Sequence, residues 1–166
     1  MAQVLFAGGA YLNLDGSRQA LVAGAGYVND ATTSIGSTIY RPLSDVSAGS
    51  WTPSTGSDLF AMLNESSPDD GNYAQSSVSP TTDIMMVRFA APGARPVNTG
   101  HIIRYRLYAL GTLVMVVRLK QGGSTIKEWT HNPAPTTVTA FERTLSEGEA
   151  SSLTSGDPMD IEVEAS

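Results

Sequence analysis

The 166-residue chain contains no cysteine, which excludes a disulfide framework, a thiolate nucleophile and any cysteine-held metal. Its two histidines, His101 and His131, are too few for a histidine-built zinc site. No apolar run approaches the ~20 residues that cross a bilayer as a helix, so no membrane partner is expected. Residues 1–10 lack a basic leader and carry only a short apolar stretch, so a secretory signal is not expected. Basic residues number 10 against 16 acidic ones, a formal net charge of −6, and an acidic total disfavours nucleic acid as a partner. The hydrophobic fraction of 41% is enough for a sizeable core and argues against disorder.

The charges fall in blocks. Residues 1–83 carry two arginines against eight acids, net −6; residues 84–143 carry eight basic residues against Glu128 and Glu142, net +6. Residues 144–166 carry six acids and no base. Such blocks pair either within one sheet, with an acidic last strand beside basic strands, or between subunits; ordinary sheet faces favour the first.

Composition divides the chain near residue 50, into an arm at 1–50 and a main domain at 51–166. The first part holds 7 of the 16 glycines and five charged residues. Val4-Leu5-Phe6 reads as a short strand. Asp15-Gly16 reads as the turn of a hairpin between residues 11–14 and 19–22. This Gly/Ala-rich extension is apolar but short of large side chains, so it needs another surface to lie against. Val4, Leu5, Phe6, Tyr11, Leu12, Leu14 and Tyr27 are the candidate partner-binding residues.

From Trp51 onward the pattern is that of a mainly β chain. Ser57-Asp58 caps a short helix through Leu63, Tyr73–Val78 and Asp83–Phe89 read as strands, and strict alternation marks His101–Ala109 and Leu113–Lys120. Turns at Gly111-Thr112 and Gly122-Gly123 and a break at Asn132–Pro135 arrange these with Ile126–Thr130 and Thr136–Thr144 as an antiparallel meander. Ser146 and Glu149 form a capping box for a second helical turn. Met159–Ala165 is a last strand with Asp160, Glu162 and Glu164 on one face. The expected fold is an antiparallel β-sandwich of jelly-roll type, with two short helical turns and the N-terminal extension.

Catalytic signatures are scarce. Gly24-Ala25-Gly26 lacks the third glycine and the βαβ setting of a dinucleotide site. Neither a phosphate loop nor a nucleophile elbow is present. His101 lies on an alternating strand and His131 beside a proline-rich break, and neither has the spacing of a triad base. Asp69 and Asp70 sit in a turn with Asn72, where hard oxygen ligands can hold Ca²⁺, but the loop lacks a closing glutamate and reads as a solvated turn. No catalytic residue, cofactor or metal ligand is therefore assigned. Trp51 and Trp129 are the candidates for stacking on a sugar, with core packing as the competing role.

Three stretches carry a resemblance: Trp51-Thr52-Pro53-Ser54, Leu59-Phe60-Ala61-Met62-Leu63-Asn64-Glu65 and Pro68-Asp69-Asp70-Gly71-Asn72-Tyr73. With Gly100–Arg106, Leu145–Glu149 and Ile161–Ala165 they resemble structural proteins of tailed bacteriophages and prophages. The resemblance covers roughly residues 50–166. It implies a single sandwich module on the virion, similar to head decoration, head-fibre or tail-associated proteins, and no enzymatic activity. The implied partners are capsid or other virion proteins and further copies of the chain, a trimer among the options. A carbohydrate-binding sandwich that recognises host glycans is the alternative.

Overall fold

The computed structural model describes the strand backbone at 11–14, 20–21 and 27–28, and residues 39–66, 69–91 and 100–166. In chain order, β1 (Tyr11–Leu14), β2 (Ala20–Leu21), β3 (Tyr27–Val28), β4 (Ile39–Tyr40), β5 (Pro42–Ser47) and β6 (Thr52–Pro53) precede helix α1 (Leu59–Leu63). There follow β7 (Ala74–Gln75), β8 (Asp83–Phe89), β9 (His101–Leu107), β10 (Met115–Gln121), β11 (Ser124–His131) and β12 (Thr139–Thr144). Helix α2 (Glu147–Ser151) and β13 (Met159–Ala165) complete the chain.

Period-two alternation drives the architecture, because one face of each strand must leave water. Met85, Val87 and Phe89 of β8, Ile103, Tyr105 and Leu107 of β9, Met115, Val117 and Leu119 of β10, and Met159, Ile161 and Ala165 of β13 are buried in one cluster. They come from two antiparallel sheets, one ordered β12-β9-β1-β4 and the other β11-β10-β13-β8-β5. The fold is thus mainly β, two sheets enclosing a common core, with two short helices among the described residues.

Several expectations change. Residues 11–14 do not form a hairpin with 19–22: β1 pairs with β9, Leu12 opposite Ile103, and with β4, Leu12 opposite Tyr40. β2 instead pairs with β3. β5 is the outer strand of the second sheet, Pro42 opposite Phe89. Strands from both sides of residue 50 therefore share the sheets, and the compositional boundary there is not a boundary between sheets. The stretch expected as a strand at Tyr73–Val78 is extended only at Ala74–Gln75, where it pairs with β6.

The meander also gives way. β10 and β11 do form a hairpin, with Gly122 and Gly123 at φ +58° and +83°, the left-handed pair that a two-residue turn requires. But β9 and β10 lie in different sheets, and so do β11 and β12. The chain crosses between sheets at 108–114 and again at 132–138. Two backbone bonds stitch these crossings together, Ala109 N to Pro135 O at 2.7 Å and Ala134 N to Leu113 O at 2.8 Å. A glycine turn signal cannot distinguish reversal within a sheet from a step to the facing one.

The acidic last strand lies between basic strands, as the first reading of the charge blocks expected. β13 sits between β10 and β8, Glu162 opposite Arg118 and Asp160 opposite both Lys120 and Arg88. Arg118 reaches Glu162 at 2.9 Å and Glu164 at 2.7 Å on β13, and Glu128 of β11 at 2.6 Å. Lys120 adds a bond to Glu162 and Arg88 one to Asp160, each 2.8 Å. These ladders let four acidic and three basic side chains share the non-core face of this sheet.

Both helices are too short to be stable alone. α1 buries Leu59 and Met62. Asp58 stands at its N-cap but its side chain makes no capping bond. The Asp45 carboxylate on β5 accepts instead from Leu59 N at 2.9 Å and Phe60 N at 2.6 Å. α2 has the expected capping box between Ser146 and Glu149. Behind it, the buried Gln121 amide donates to Thr154 O and Asp157 O and accepts from Thr154 N, fixing the approach to β13.

Candidate functional site

β11 and β12 are the end strands of different sheets on the same side of the sandwich. The 132–138 crossing joins them at one end, and along the strands themselves side chains close the seam. In register, Trp129 and His131 stand opposite the core residues Val117 and Met115, while Phe141 and Arg143 stand opposite Tyr105 and Ile103. All four therefore point between the sheets. Tyr105 forms the floor: its hydroxyl lies 3.0 Å from His131 Nε2, and its ring stacks on Phe141 with centroids 5.4 Å apart. Trp129 meets Tyr105 at 6.1 Å, and His131 meets Phe141 at 4.3 Å. The Arg143 guanidinium lies over the Phe141 ring, 5.1 Å from its centre.

The electrostatics of this cluster are one-sided. Burial, and then the charge of Arg143, hold His131 below its ordinary value. Burial pushes the Tyr105 hydroxyl up, with Arg143 acting against it. Arg143 Nε is buried without a hydrogen bond. Phe141 and Arg143 escaped the sequence reading, although alternation across Thr136–Thr144 placed both on one face.

The other candidates are scattered. Trp51 is buried on the far side, its indole N–H donating to Asp83 O at 3.1 Å. It belongs to the core and does not share a platform with the half-buried Trp129. His101 is fully buried in β9. The Asp69 carboxylate accepts from Gly71 N at 2.8 Å and from the Asn72 amide, and Asp70 pairs with Arg106 at 2.7 Å. These bonds hold the turn and tie it to β9. Among the described residues, no group of three or more His, Cys, Asp or Glu is placed to hold a metal ion.

Of the partner-binding candidates, Val4, Leu5 and Phe6 lie outside the described residues. Tyr11, Leu12 and Leu14 fall in β1, whose two edges are both hydrogen-bonded within the sheet, so β1 cannot add to a partner's sheet. Tyr27 falls in β3. An unforeseen surface lies on β5. Its ladder with β8 slips between Pro42 and Ser44 and between Asp45 and Ser47. The extra residues are Leu43 and Val46, which are 59% and 43% exposed. Bulges on an end strand spoil it as a flat template for pairing and turn side chains outward.

Comparison with family models, with curated proteins and with solved structures finds no match to this chain.

Proposed function

We propose that this chain is a non-enzymatic structural component of a tailed-phage virion, a capsid decoration or other head-attached protein that binds the particle. The resemblance of residues 50–166 supports this reading. The observation that carries it is the distribution of surface groups. Charges on the sheet faces are engaged in cross-strand pairs, whereas Leu43 and Val46 stand outward on the bulged end strand. Such a surface suits adhesion, and a rigid sandwich repeated by particle symmetry gains avidity from many weak contacts. In this reading residues 1–10, with Val4, Leu5 and Phe6, join β5 in making the contact, with neighbouring copies of the chain as further partners. Successive strands β8, β9 and β10 alternate between sheets, as do β11, β12 and β13, which supports a jelly-roll arrangement for the module.

The test uses particles from a host whose copy of the gene is deleted. Purified wild-type chain co-sediments with them. A chain lacking residues 1–10 and carrying Leu43→Asp and Val46→Asp keeps its circular dichroism but stays in the supernatant. Failure of the wild type to sediment, or equal sedimentation of the variant, overturns the proposal. The glycan-binding alternative keeps one point in favour, the half-buried Trp129 among aromatic neighbours. It requires that Trp129→Phe lower retention on host-surface glycans without lowering the melting temperature.

A further inference from the structure

We propose that Tyr105, His131 and Arg143 form an acid-sensitive latch, in which protonation of His131 parts β11 from β12 and opens that side of the sandwich. The two sides of the molecule are built differently. On the far side the chain runs from β4 to β5 through the single residue Arg41, and α1 packs there with Leu59 in the core. At the β11–β12 side the connection is the longer 132–138 crossing, and beyond it the sheets are held by side chains, chiefly the Tyr105–His131 bond and the ring contacts of Phe141.

The groups acting on His131 are the Tyr105 hydroxyl from β9, the Phe141 ring and the Arg143 charge from β12, and Met115 of β10 opposite it in register. None is an anion. Among the described residues, no carboxylate forms an ion pair with Arg143. The nearby charges are taken: Glu142 pairs with Arg104 and Lys127 pairs with Glu149 of α2. A proton on His131, which is 7% exposed, therefore places a second cation beside one already there, in a seam whose other side chains are partly buried, and opening to solvent relieves it. Because the closed form holds the ring below its ordinary value, the contribution of neutral His131 to closure is complete above about pH 6.5 and is lost as pH falls below it through the depressed value. Each unit of depression raises the open-to-closed ratio about tenfold once the ring is protonated.

The experiment is an NMR titration of the full chain from neutral to mildly acidic pH in the presence of a soluble nitroxide. The His131 ring and the two indole N–H signals are followed. The latch predicts that nitroxide broadening of Trp129 rises with the same midpoint as His131 protonation, while Trp51, buried on the far side, is unchanged. His131→Gln, which keeps a hydrogen-bonding group but cannot be protonated, abolishes the rise. Arg143→Gln moves the His131 midpoint upward and shrinks the rise. Broadening that affects both indoles together, or that persists in His131→Gln, overturns the latch. If His131→Gln does not fold, the wild-type midpoints and Arg143→Gln decide. An Arg143→Gln midpoint equal to that of the wild type is then the overturning result.

Discussion

Replacing Arg118 by methionine keeps the side-chain stem and removes the charge at the centre of the ladder on the β10–β13 face. Three carboxylates lose their shared partner. Glu128 is 48% exposed, so its 2.6 Å bond contributes about 0.5 kcal/mol. Glu162 and Glu164 are only 10% and 20% exposed and bond to one guanidinium nitrogen. Glu162 retains Lys120, whereas Glu164 loses the ion pair that offset its desolvation. Burial works against the Arg118 charge, but the three carboxylates outweigh it and hold the cation well above its ordinary range. Leaving partly buried carboxylates uncompensated costs less than the 3–5 kcal/mol of a fully buried pair; about 2–4 kcal/mol is expected in all. For a chain of this size that is a fall in melting temperature of about 4–15 °C, read by far-UV circular dichroism at neutral pH. Glu128→Gln serves as the exposed control and shifts the melt by no more than about 3 °C. A drop below about 2 °C for Arg118→Met would show that the ladder merely decorates the sheet and does not hold β13 in place.

Three further outcomes follow from the fold. Gly49 has φ +54°, and a Cβ there would clash with the Ile84 carbonyl oxygen; Gly49→Ala therefore destabilises by at least about 2 kcal/mol, while Gly122→Ala, with open space around it, loses only about 1 kcal/mol in urea unfolding. Asp45→Ala removes both bonds to the first turn of α1, which lowers stability by about 1–2 kcal/mol and makes residues 57–66 the first site of limited proteolysis. Burial raises the Glu162 carboxyl, yet Lys120 and Arg118 together hold it below the ordinary 4.5. Its stabilisation is thus complete above that pH and lost as pH falls through the depressed value, so the gap in melting temperature between wild type and Glu162→Gln narrows in acid.

Local signals in the sequence located what local chemistry determines. The strands Asp83–Phe89 and Met159–Ala165 are bounded by turns and alternate cleanly, the glycine pair sets the β10–β11 hairpin, and Ser146 with Glu149 caps α2 through contacts three residues apart. What escaped depends on partners distant in the chain. β1 pairs with residues some ninety positions away, and Asp15-Gly16 offered a nearer partner that the fold does not use. The α1 cap comes from Asp45 on another strand because Asp58 is extended and makes no bond of its own. The two bulges in β5 break the alternation that would have marked Pro42–Ser47 as a strand and hid its exposed residues. The seam was legible only in pieces: Tyr105, Trp129 and His131 were each noted, but their meeting with Phe141 and Arg143 requires β12 to cross to the facing sheet.

The functional proposal is tested most directly by quantitative mass spectrometry of gradient-purified tailed-phage particles from the strain that encodes the chain. The account predicts the chain in the particle fraction, in fixed proportion to the major head protein and resistant to washing at low salt. Its presence in the host lysate but absence from the purified particles would contradict it.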